Sequence, residues 1–179
     1  VKTPITLNDS ERSAPGLTPA QGWALATVAV SNQQNGFSHY VLGGESVAPH
    51  AQVNAIYGLK NWWGVTTKEE TIEVLQWLLN EGHHKEYEQL AAVVSSASET
   101  DYQLLLQKYE SNPEVVFKLK FARDNHARLS KKSLLAWDLC RYIQVAGLAY
   151  VAGYLTEQEA WERIMPAAKI IQDTFDSWA

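Results

Sequence analysis

The sequence predicts one all-α domain, a single globular unit of about seven or eight helices around a buried central helix. Three observations carry this. Helix-start signals recur along the chain, each a Thr, Ser or Asn followed by Pro or, three residues later, by Glu or Gln. Between them apolar residues return every three or four positions, the spacing of one helix face. Sustained apolar/polar alternation is lacking, and Ser38 to Leu42 is the one stretch where a strand would fit. With 179 residues, 46% of them apolar, the chain has the size and composition to bury one core.

Residues 1–16, with Pro4, Asp9-Ser10 and Pro15-Gly16, read as an irregular arm, and 17–179 as the helical domain. Thr18-Pro19-Ala20-Gln21 is a capping box with Pro at the first helical position. It opens a helix carrying Trp23, Ala24, Ala26, Val28 and Ala29 that should stop near Asn35-Gly36. Gly43-Gly44 breaks the pattern between Phe37 and Pro49, so a loop is expected there. The next helix, Pro49 to Trp62, is expected to group Val53, Ile56 and Tyr57 on one apolar side and to end at Gly64.

Thr66 and Thr67 each have a Glu three residues on, and Ile72, Leu75, Leu78 and Leu79 form an apolar stripe up to Gly82. Helices follow over His83 to Ala97, over Ser98 to Ser111, and from Asn112-Pro113 onward. Leu134 to Ala152 has almost no polar face, which predicts burial on most sides, and Gly153 ends it. Thr156-Glu157-Gln158-Glu159 caps the last helix, which Pro166 should kink or interrupt by clashing with the carbonyl four residues earlier.

A net charge of −5 and a pI near 5.5 argue against nucleic acid as a partner, since phosphate binding needs a concentrated positive face. The basic run from Lys118 and Lys120 through Arg123 and Arg128 to Lys131-Lys132 reads as a solvated helix surface. The single cysteine, Cys140, can form no internal disulfide, and its apolar neighbours suggest a structural thiol. No apolar run reaches the roughly 20 residues of a membrane span and no secretory pattern opens the chain, so a cytoplasmic location without a membrane partner is expected. Glycine-rich phosphate loops and the serine-nucleophile turn are missing, and no cofactor is expected.

Two places draw attention chemically. Asp138 and Arg141 share a face of the apolar helix, where a hydrogen-bonded pair would be tolerated and a lone charge would not, so a structural clamp is the first expectation. In the functional version Trp161, Tyr154 or Trp178 lines a cavity beside the pair, Arg141 holds a carboxylate or phosphate, and Asp138 orients it or acts as a base. His83, in Glu81-Gly82-His83-His84-Lys85-Glu86, is a secondary candidate. Its spacing matches no zinc motif, so no metal is expected and its ring is read as bonding the last carbonyls of the preceding helix.

Trp63-Gly64-Val65, Gly82-His83, Trp137-Asp138-x-x-Arg141, Gly153-Tyr154, Glu159-Ala160-Trp161 and Ser177-Trp178 occur in this order. In that combination the chain resembles a bacterial family catalogued as domain of unknown function 1266, the YbeU/YbeR-like proteins, from about Leu17 to Trp178. The resemblance implies no activity. Capping and packing residues outnumber any nucleophile, base and electrophile in mutual reach, so a non-enzymatic module binding a protein or small ligand, of accessory or immunity type, is expected. The alternative is an enzyme or antibacterial effector using Asp138 and Arg141.

Overall fold

A computed structural model describes residues 16–129 and 134–176. The predicted arm, apart from Gly16, together with Lys131-Lys132 and the Ser177-Trp178 element, lies outside the described residues.

Among the described residues every regular element is a helix, with no strand. It forms α1 (Pro19–Ala26), α2 (Ala29–Asn35), a 3₁₀ turn (Leu42–Gly44), α3 (Pro49–Trp63), α4 (Lys68–Asn80), α5 (Gly82–Ser96), α6 (Glu99–Lys108), α7 (Pro113–Leu129), α8 (Leu135–Ala152) and α9 (Glu157–Thr174). The helix predicted up to Gly36 is thus two, broken at Thr27-Val28, where the Thr27 hydroxyl turns back to the Ala24 carbonyl at 2.6 Å. That local bond competes with helix continuation.

Caps sit where the sequence puts them. Thr18 with Gln21, and Thr156 with Glu159, form reciprocal capping boxes. Thr67 and Ser98 accept from the amides three residues on, and Asn112 accepts from Val115 at 3.2 Å. α9 runs through Pro166 as one helix, so of the two expected outcomes the interruption does not occur.

α8 is the axis, with eleven of its eighteen residues buried, and α3, α4 and α9 pack around it with α1 behind α9. Leu59, Val65, Leu75, Leu78, Leu139, Ile143, Val145 and Ile164 fill this main core. A smaller core of Tyr87, Val94, Tyr102, Leu119 and Ala122 holds α5, α6 and α7 together. The lobe meets the main core chiefly where α5 crosses α8.

α3 turns a different side inward from the one expected. Of the three residues expected together, Ile56 packs partly buried against the core, but Val53 and Tyr57 are each 66% exposed, whereas Ala51, Ala55, Gly58 and Leu59 are buried. Small residues let its backbone approach α8 closely, and that gain outweighs placing the larger side chains inside. The 3₁₀ turn repeats the device: a Cβ on Gly147 would come within 2.9 Å of the Gly43 backbone, so turn and helix touch main chain to main chain.

Candidate functional site

The two ionisable residues of α8 do not form the expected pair. Asp138 is fully buried, and its carboxylate is held from the start of α5. Oδ2 accepts from the His84 backbone N–H at 2.7 Å and meets His84 Nδ1 at 2.8 Å, while Oδ1 meets His83 Nδ1 at 2.8 Å. An ionised carboxylate only accepts, so both rings present Nδ1–H to it. Three charge-assisted contacts satisfy a buried anion that would otherwise be prohibitive.

Local backbone explains why the sequence reads Gly-His-His. α4 ends at Asn80 and α5 begins at Gly82 with only Glu81 between them, and Gly82 has φ +46°. A Cβ there would lie 2.8 Å from Asp138 Cγ and closer still to Oδ2. The carboxylate occupies the space a side chain would need, which makes glycine a requirement of the contact. His83 therefore bonds Asp138, a charged acceptor, instead of the α4 carbonyls expected from its position. Its ring is 42% exposed and packs edge-on against Trp77, 5.3 Å between centroids. Through Asp138 the α5–α7 lobe is latched to the central helix.

Arg141, one turn further along α8, faces another environment. Its guanidinium carbon lies 4.8 Å from the Trp63 ring centre and 5.1 Å from that of Trp137, cation–π geometry on both. Its Nε is buried with no hydrogen-bond partner, and among the described residues the side chain forms no ion pair. Burial lowers its pKa from the usual arginine value, with the Asp138 charge opposing that shift.

A cleft of about 230 Å³ opens beside this stack, lined by Ser31 and Asn35 of α2, Trp62 and Trp63 of α3, and Trp137, Cys140, Arg141 and Gln144 of α8. Arg141 is the only charged side chain among those lining residues. Trp137 is 54% exposed and forms a loose wall. Cys140 gives its thiol hydrogen to the Thr27 carbonyl at 3.0 Å, and burial pushes its pKa up to about 11, the inert setting expected of a structural thiol.

The expected aromatic neighbours lie elsewhere. Trp161 is buried in the main core, its indole N–H reaching Glu157 at 3.4 Å, and Tyr154 packs at the edge of that core after Gly153. Trp178 lies outside the described residues. The residues that sequence reasoning missed are His84, which holds Asp138, and Trp62, Trp63, Ser31, Asn35 and Gln144, which build the cleft. Among the described residues no group of three or more His, Cys, Asp or Glu is placed to hold a metal, and no helix is long and apolar enough to cross a membrane.

What fold and site define is an all-helical domain with a latched buried carboxylate and an aromatic-walled arginine cleft. The chain belongs to the family described as "Protein of unknown function (DUF1266)", whose profile matches residues 58–179. The match starts within α3, later than the Leu17 expected from the motifs, and takes in Trp63, Gly82-His83 and Trp137-Asp138-x-x-Arg141, so both ionisable units fall inside it. Comparison with curated proteins and with solved structures finds no match.

Proposed function

We propose that the protein is a non-enzymatic binding module whose site is the Trp63–Arg141–Trp137 cleft and whose ligand presents an anionic group. The observation that carries this is the Arg141 guanidinium: indoles against it, Nε buried without an acceptor, an open cleft at its side. A guanidinium with no acidic partner gains a charge-assisted hydrogen bond when an anionic oxygen enters the cleft it lines. Tyr87 Oη and Arg163 Nε are likewise buried without a partner among the described residues, and what distinguishes Arg141 is the cleft beside it. An accessory or immunity-type role, in the cytoplasm, needs a recognition site of this kind and no catalytic constellation.

The test is direct. Acetate and phosphate, each titrated separately, should change Trp137 fluorescence in the wild-type protein and leave Arg141→Gln unaffected, with circular dichroism confirming that both are folded. No response to either anion in the wild type would defeat the proposal.

A second, enzymatic reading draws on one observation, the 2.8 Å contact that orients the half-exposed His83 ring through buried Asp138. In that reading His83, not Asp138, exchanges the proton, because Asp138 has no access to solvent. Expression of wild type and His83→Ala in a bacterial host separates the two. Growth inhibition by the wild type alone, with both proteins equally folded, would favour the effector.

A further inference from the structure

We infer that the occupant of the Arg141 cleft is an acidic segment of a different protein, one that sets an Asp or Glu carboxylate against Arg141 and apolar side chains against Trp62 and Trp137. This rests on the reading of Arg141 as an anion site and names the class of partner that reaches it.

The distribution of charge points to such a partner. The chain carries 20 acidic residues, yet α1, α2 and α3 contain none. Two of those helices, α2 and α3, wall the cleft, and α8 brings Arg141 to it. Asp138, one turn earlier on α8, is fully buried and its carboxylate is held by the start of α5. A molecule with a net charge of −5 thus lines this cleft with one positive side chain and no negative one. Complementarity of that kind selects a negatively charged partner and disfavours others.

The exposed indoles point to a protein segment over a free anion. Trp62 of α3 is 60% exposed and Trp137 of α8 is 54% exposed, and both line the cleft. Each leaves a large apolar ring in water close to an arginine, and Trp and Arg are the side chains that dominate protein–protein contacts once desolvated. A free acetate or phosphate would meet the charge of Arg141 and leave both rings wet, whereas apolar residues flanking a carboxylate side chain would cover them. Sites that enclose a whole small molecule measure roughly 300–1,000 Å³. About 230 Å³ admits one side chain and leaves its neighbours on the rim.

A second copy of this chain fits poorly. Identical subunits most often pair by presenting the same patch to each other. Here that would set Arg141 against Arg141, with no acid on α1, α2 or α3 to lie between them.

Panning a phage-displayed library of random dodecapeptides on the intact chain, then synthesising the enriched sequences, tests this. Enriched peptides should carry Asp or Glu beside Leu, Ile, Val, Phe or Trp. Replacing that acid by its amide, Arg141→Gln and Trp62→Ser should each weaken the peptide at least about tenfold, with melting temperatures recorded for both variants. Trp62→Ser should leave the response to acetate unchanged, which separates the rim from the anion site. Enrichment without an acid, or no enrichment, would overturn this inference; if acetate or phosphate still binds, the anion site survives, and if neither binds, both readings fall. Self-association of the wild type that Arg141→Gln abolishes would assign the face to a second copy and likewise overturn the inference.

Discussion

Replacing Gly82 by alanine tests the junction of α4, α5 and α8 at one atom. The backbone there has φ +46°, which costs an alanine about 1–2 kcal/mol. The new Cβ would also stand 2.8 Å from Asp138 Cγ, well inside contact distance, so the carboxylate must retreat from at least one of its three donors. A hydrogen bond to a charged group contributes about 1.5–3 kcal/mol, and the sum predicts roughly 3–5 kcal/mol of destabilisation. Gly64→Ala is the control. Gly64 has φ +67° with nothing within 4 Å of its virtual Cβ, so only the backbone term of about 1–2 kcal/mol applies. At roughly 2–4 °C per kcal/mol, thermal melts should place Gly82→Ala about 6–20 °C below wild type and Gly64→Ala about 2–8 °C below. Equal melting temperatures for the two variants would show that Asp138 does not occupy the space beside Gly82.

Three further outcomes follow from groups elsewhere. The Glu159 carboxyl is held down to about 2 by Lys68, then by the Thr156 backbone amide. A depressed folded-state pKa stabilises fully above the unfolded value near ~4.5. That contribution should fade as the pH falls from there to about 2, and Lys68→Met should flatten this limb of a melting-temperature profile. Cys140, its thiol raised to about 11, should react with a disulfide reagent at pH 8 at least about 100-fold more slowly than free cysteine, and at the normal rate after unfolding. Rapid stoichiometric labelling of the folded protein would contradict the raised pKa of this partly buried thiol. On α3, Ala55→Leu should destabilise by about 1–3 kcal/mol through overpacking, whereas Tyr57→Ser on the exposed side should stay within about 0.5 kcal/mol.

Element identity was legible because its signals are local. Thr18 with Gln21, Thr156 with Glu159, and Pro113 after Asn112 report caps within one turn, and each forms where it was read. α8 was legible as the buried axis because an apolar surface all round has only one stable place. The inward side of α3 is not legible for a physical reason: hydrophobicity favours Val53 and Tyr57 inside, but packing on α8 favours Ala51 and Ala55, and a pattern of large residues carries no information about distance.

The site was half legible. Asp138 and Arg141 stood out as ionisable residues in an apolar helix, but their three-residue spacing suggested a mutual pair. Both found better partners far off in sequence, Asp138 at the charge-assisted donors of Gly82-His83-His84 and Arg141 at two indole faces. The signal available was stoichiometric. A buried acid needs more than one donor, and Gly82-His83-His84 supplies a backbone N–H and two rings from a turn that only glycine permits. Trp63 was quoted as a motif residue, yet nothing local in the sequence indicates that its ring meets an arginine 78 positions later.

Asp138 and Arg141 act as separate units, one latching the α5–α7 lobe and one facing a cleft. A pair of double-mutant cycles on unfolding free energy, built from Asp138→Ala, His84→Ala and Arg141→Ala, measures this. The Asp138–His84 coupling should be about 2–3 kcal/mol and the Asp138–Arg141 coupling below about 1 kcal/mol. The reverse order, with the larger coupling between Asp138 and Arg141, would restore the ion pair and remove the free guanidinium on which the binding site depends.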